Sequence, residues 1–161
     1  MNLTIDIGNT RTKIALFDGE TFVREEKFEN TDAEHLLNVV KEKEAEGLAF
    51  CSVAAENPLL VEALKQLPYP VLEVKGTTPA PVTVAYRTPE TLGADRLAAV
   101  VGAVTLKPQT DLLVVDAGTC ITYDFVDAAG NYLGGNISPG VEMRLEALHN
   151  CTARLPRIEA D

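Results

Sequence analysis

The chain has 161 residues, enough for one large domain or two small ones with a sizeable core. Hydrophobic residues at 46% and charged residues at 24% exclude a disordered chain. Twenty-four acidic against 14 basic residues, a net charge of −10, leave no broad cationic face for a nucleic-acid backbone, so no nucleic-acid partner is expected.

The charge is uneven: residues 1–50 carry 11 acids and 6 bases, 51–110 carry 5 and 5, and 111–161 carry 8 and 3. The neutral middle should tolerate a small anion most easily. No apolar run approaches the ~20 residues that span a bilayer, and Met1–Thr10 shows no cationic region ahead of an apolar stretch. No membrane segment or secretory signal is therefore expected. Cys51, Cys120 and Cys151 are odd in number and lack metal-type spacing, which reads as reduced thiols in a cytoplasmic protein. His35 and His149 stand alone, arguing against a histidine-based metal or nucleophile site.

In chain order, Asn2–Ile7 is a strand ending in Asp-Ile-Gly-Asn-Thr. Lys13–Phe17 follows, running into Asp18-Gly19, a hairpin signal, and then a third strand over Thr21–Phe28. Thr31 with Glu34 forms a capping-box pattern, Ala33, Leu36, Leu37 and Val40 recur at helical spacing, and Gly47 is expected to cap that helix. Leu48–Val53 is a short apolar strand. Asn57-Pro58 opens a helix whose buried stripe is Leu60, Leu64 and Leu67, and Val71–Val74 is another strand. After a loop over Thr77–Pro81, Thr88-Pro89 is expected to begin a long helix ending near Pro108, with small residues from Gly93 to Ala103 along it. Leu112–Val115, Cys120–Val126 and Tyr132–Ile137 are strands, and Ser138-Pro139 is expected to open a last helix running to about Asn150.

An internal repeat organises these elements. Leu3–Thr10 matches Leu113–Cys120, each a strand ending in Asp-x-Gly: Asp6-Ile7-Gly8 and Asp116-Ala117-Gly118. Both copies continue strand, turn, strand, helix. The fold expected is α/β, two related β-β-β-α domains with mixed sheets, the first over 1–108 and the second over 109–161. The second copy stops after a single helix, which predicts an incomplete domain and a fragment of a longer protein.

A carboxylate at the end of a buried strand needs partners. One turn alone reads as an Asx motif closing a hairpin. Two matching turns favour another reading, in which glycine lets the backbone approach an anion, N–H groups point inward and aspartate holds a hydrated cation. Facing each other, two such turns would grip a polyphosphate. Lys13 leaves the first turn and suits a phosphate as a point charge, or equally a surface position. Asn9, Thr10 and Thr12 add side-chain donors that turn polarity alone would also explain. Gly93-Ala94-Asp95-Arg96 offers a carboxylate able to take a hydroxyl proton and a guanidinium able to fork onto a carboxylate, although spacing alone favours a solvated Asp–Arg pair.

Asp6–Lys13, Leu92–Arg96, Asp116–Cys120 and Gly134–Gly140, in this order, resemble the type III pantothenate kinases. The resemblance spans nearly the whole chain and implies the actin-like ATPase superfamily, with two RNase H-like domains closing over ATP. It implies phosphorylation of pantothenate to 4′-phosphopantothenate, the first step of coenzyme A synthesis. Carried over residue by residue, Asp6, Ile7, Gly8, Asn9, Thr10, Arg11, Thr12 and Lys13 form the ATP-binding turn, and Thr119 contacts ATP from the second turn. Asp95 is the proton acceptor. Tyr86, Gly93, Ala94, Asp95 and Arg96 bind pantothenate. Asp116 holds a monovalent cation, K⁺ or NH₄⁺, while Asp6 is a candidate for Mg²⁺ through water. The family is dimeric, so a homodimer is expected. The family's second domain also runs on past the position of Asp161, leaving the activity of this length of chain open. Two alternatives remain: a phosphohydrolase of the same superfamily resembling exopolyphosphatases, and a nucleotide-binding regulator without catalysis.

Overall fold

The computed structural model describes residues 1–29, 33–42, 44–53 and 58–160. Two compact units divide the chain: Met1–Lys75 with Gly93–Asp95, and Gly76–Leu92 with Arg96–Asp161. The segment from Gly76 to Leu92 and most of the helix after it thus group with the second sheet, not with the first half of the chain.

Alternation of apolar and polar residues sets the first sheet. Strand β1 (Asn2–Ile7) buries Leu3, Ile5 and Ile7; β2 (Arg11–Asp18) returns antiparallel with Thr12, Ile14 and Leu16 inside. The Asp18-Gly19 turn then leads into β3 (Thr21–Glu29), with Gly19 at φ 56°, a backbone region that glycine enters without steric cost. Strand β4 (Gly47–Ser52) lies parallel to β1, and β5 (Val71–Glu73) parallel to β4, giving a mixed sheet in the order β3-β2-β1-β4-β5.

Helices α1 (Ala33–Lys41) and α2 (Pro58–Lys65) contribute Leu36, Val40, Leu60 and Leu64 to one core with the sheet's inward residues. Proline at the first position of α2 follows from its missing N–H. The expected helix starts at Thr31 and Asn57 lie outside the described residues. Gly47 does not cap α1; it is the first residue of β4, where it pairs with Asn2.

In the second unit β7 (Leu112–Ala117), β8 (Cys120–Val126) and β9 (Asn131–Pro139) form an antiparallel meander, and β6 (Thr83–Val84) adds parallel to β9. In the order β6-β9-β8-β7, the run β9-β8-β7 repeats the β3-β2-β1 meander of the first sheet, as the sequence repeat predicts, and β6 is an addition beside β9. Helix α3 (Ala94–Leu106) places Leu97 and Val100 against Val126 and Tyr132, and α4 (Val141–Asn150) follows β9.

Two further expected boundaries are corrected. Thr88-Pro89 opens only a 3₁₀ turn over Pro89–Thr91; Leu92 is extended (ψ 128°), and α3 starts afresh at Ala94. Ser138 and Pro139 end β9, paired with Ile121 and Cys120, because proline at a strand's last position need donate no ladder bond; α4 begins only after Gly140. Among the described residues no helix is long and apolar enough to cross a membrane, and all three cysteines are unpaired.

Candidate functional site

The first Asp-x-Gly turn is built by the β1–β2 register. Asp6 stands opposite Lys13, and Lys13 Nζ lies 3.4 Å from Asp6 Oδ2. The Gly8 N–H donates to the Arg11 carbonyl at 3.1 Å, closing the tip. Ile7 and Thr12 turn their side chains into the core, so what they can offer a ligand is backbone; Asn9, Thr10 and Arg11 are exposed at the tip. Of the eight residues expected here, Asp6 and Lys13 share the face away from that core, and the ammonium expected beside phosphate lies against a carboxylate.

Cys51 of β4, parallel to β1, sits beside Asp6 and donates from Sγ to Asp6 Oδ1 at 3.6 Å. Burial first, then the charge and hydrogen bond of Asp6 and the charge of Asp95, push the thiol up to about 12. It stays a neutral donor at physiological pH. Asp95 belongs to the same compact unit as Asp6 and Cys51. Gly93 and Asp95 are partly exposed and Ala94 is buried.

The second turn is one residue shorter between its strands: Ala117 pairs with Ile121, and the Gly118 N–H donates to the Cys120 carbonyl at 2.9 Å. Asp116 is exposed and faces Thr122, so the cross-strand lysine of the first turn has no counterpart. Gly140 closes on this turn: its N–H donates to the Thr119 carbonyl at 3.0 Å. A Cβ there would lie 2.3 Å from the Thr119 oxygen, so only glycine allows the start of α4 to pack so closely on the turn.

Arg96 is not the solvated partner of Asp95. It is 5% exposed and reaches across to Asp124 of β8, itself 1% exposed, with Nε at 3.0 Å from Oδ1 and 3.2 Å from Oδ2 and with Nη2 on Oδ1. Tyr132 donates its hydroxyl to the same Oδ1. Burial alone would lower the Arg96 pKa, but the hydrogen bond and charge of Asp124 outweigh it and raise it. Burial, then the hydrogen bond and charge of Asp124, raise that of Tyr132. The Tyr86 ring lies 5.7 Å from the Arg96 guanidinium and stacks on Tyr132 with centroids 6.3 Å apart. The fork expected for a substrate carboxylate thus engages an internal one.

Tyr86 also lines an open cleft of about 500 Å³ with Ala85, Arg87, Thr88, Leu133, Gly134 and Gly135. Asp124 and Tyr132 are the residues that the sequence reading missed. A signal existed: Thr122, Asp124 and Val126 alternate onto one face of β8, and Val126 is core, so a charge at 124 needed a buried partner.

Comparison with known proteins bears on the same motifs. A Bacteroides fragilis type III pantothenate kinase is 49% identical over 161 residues, all of this chain and 66% of its own length. The enzyme of that name from Flavobacterium johnsoniae is 42% identical over 164 residues, again covering 100% of this chain and 66% of the relative. The chain thus spans just under two thirds of the curated relatives it matches. Among solved structures, a Campylobacter jejuni protein assigned to the Baf family of transcriptional activators superposes with a TM-score of 0.61 at 25% identity, over 95% of this chain and 62% of that one. An Aquifex aeolicus Ppx/GppA phosphatase superposes at 0.50 and 18% identity, over 91% and 54%, a likeness of fold alone. These likenesses concern the α/β architecture: mixed sheets in which a three-stranded meander with an Asp-x-Gly turn occurs twice. The type III pantothenate kinase model matches residues 2–161, every motif above falls inside that match, and the chain belongs to that family.

Proposed function

We propose that the protein of which this chain forms part transfers the γ-phosphoryl group of ATP to the primary hydroxyl of pantothenate, giving 4′-phosphopantothenate and ADP. What supports this reading is the cluster at the first turn, Asp6 with Lys13 at 3.4 Å and Cys51 at 3.6 Å, and the presence of Asp95 in the same compact unit. Phosphoryl transfer needs mainly positioning and charge stabilisation, and this cluster is suited to both.

In the reaction, Asp95 accepts the hydroxyl proton as the new O–P bond forms and the bond from the γ-phosphorus to the ADP oxygen breaks. Lys13 exchanges Asp6 for phosphate oxygens, and N–H groups of the turn Asp6–Lys13 join it. Tyr86 holds the acceptor in its open cleft, and Arg96, its fork taken up by Asp124, acts on the acceptor only through the Tyr86 ring.

Mg²⁺ takes one or two carboxylates and completes its shell with water and phosphate oxygens, and Asp6, with its side chain 37% exposed, fits that donor set. Asp116, an exposed carboxylate near the end of β7, offers the oxygen ligand that K⁺ or NH₄⁺ takes. Bound there, these ions would neutralise charge on the phosphates. A homodimer and a cytoplasmic location complete the reading; the three unpaired thiols suit a reducing compartment. The test is ADP release by the full-length protein with and without pantothenate: release that requires the acceptor supports a kinase, and phosphate release without it supports a hydrolase.

A further inference from the structure

We propose that Asp124 is a positioning residue for the acceptor side of this enzyme, holding Arg96 and Tyr132 so that the Tyr86 wall of the cleft keeps its shape; the inference rests on the kinase reading above. A buried ion pair is a poor device for stability, since apolar residues of like volume often do as well. Its presence needs another reason, and the surroundings of Asp124 supply one. A single carboxylate oxygen, Oδ1, accepts from Arg96 Nε, Arg96 Nη2 and the Tyr132 hydroxyl. Both residues so held touch Tyr86, one by its cation and one by stacking.

The cleft backbone is fitted around this group. Gly134, at φ 116°, would bring a Cβ to 3.5 Å from the Tyr86 ring. A Cβ on Gly135 would stand 2.6 Å from Asp124 Oδ1 and 2.7 Å from Arg96 Nη2. Four side chains and two glycines are thus one packed unit, and two of the side chains are those assigned to pantothenate. Removing the charge of Asp124 releases Arg96 and Tyr132, and with them Tyr86. The nucleotide turn Asp6–Lys13 contains none of these residues, so the effect falls on the acceptor.

The test uses the full-length protein with Asp124→Asn, which keeps shape and loses charge, and Tyr132→Phe, which keeps the stack and loses one hydrogen bond. KM is measured for both substrates, and pantothenate binding by calorimetry without ATP. Asp124→Asn should raise KM and Kd for pantothenate about tenfold or more, as misplaced contacts do, with KM for ATP unchanged. Tyr132→Phe should show the same pattern more weakly, and decides the matter should Asp124→Asn fail to fold. Folded variants that bind pantothenate like wild type, or that raise both KM values together, overturn the role of Asp124. Wild-type protein that binds no pantothenate overturns the kinase reading, and this inference with it.

Discussion

Gly135→Ala probes the packing of the cleft most sharply. Gly135 pairs with Asp124 across β8 and β9. An added methyl carbon would lie 1.9 Å from the Tyr123 carbonyl oxygen, well inside any real contact, besides its approach to Asp124 and Arg96. The obstruction is backbone, held in register by Tyr123 pairing with Asn136, so no side chain can swing aside to relieve it. Strand β9 must move away from β8 by an ångström or so. Overpacking of this kind costs about 1–3 kcal/mol, and the distorted Arg96–Asp124 geometry puts the value at the upper end. At ~2–4 °C per kcal/mol for a chain of this size, Tm should fall by on the order of 5–10 °C. Gly102→Ala is the control: it sits in α3, exposed, with nothing within 4 Å of the new carbon, and should gain about 0.5–1 kcal/mol from helix propensity. Thermal melts followed by circular dichroism give both. A Gly135→Ala protein melting with wild type would refute the close approach of β9 to the Arg96–Asp124 pair.

Two further outcomes concern the first unit. Leu64 is fully buried among Leu36, Val40 and Phe50, so Leu64→Ala should cost about 2–5 kcal/mol by chemical denaturation; a loss below ~1 kcal/mol would place α2 off the sheet. Glu73 has its pKa lowered, first by the Lys65 hydrogen bond at 2.7 Å and further by Lys75. A lowered carboxylate stabilises the fold above its unfolded value of 4.5 and loses that contribution as pH falls. Glu73→Gln should therefore destabilise by a few tenths to about 1 kcal/mol at pH 7, and the gap should shrink as pH falls below 4.5. A gap independent of pH would contradict the pairing.

The sheets were legible because their information is local. Leu3, Ile5 and Ile7 alternate against polar neighbours, and Asp18-Gly19 announces its hairpin, so strands and turn emerge from pattern alone. The repeat of Asp6-x-Gly8 at Asp116-x-Gly118 carried the duplicated architecture, seen as two meanders of the same order. Capping signals misled. Pro89 can start any helical turn, and it is the extended Leu92 that decides the helix begins at Ala94. Gly47 and Ser138-Pro139 were read as helix boundaries, while strand pairing with Asn2 and with Ile121 and Cys120 claimed them.

At the site, long-range pairing hid the main feature. Adjacent Asp95 and Arg96 looked like a pair, but consecutive helical residues point in different directions. Arg96 instead finds Asp124, 28 residues away, and Cys51 finds Asp6, 45 residues away. No spacing rule connects such positions; only the strand registers do.

Asp95→Asn in the full-length protein tests the central claim most directly, through pantothenate-dependent ADP formation and ATP binding measured together. The variant should bind ATP as wild type does, yet turn over about 10²–10⁴-fold more slowly, the usual worth of a general base. Near-normal turnover would show that Asp95 is not the base, and wild-type ADP formation indifferent to pantothenate would contradict the kinase assignment itself.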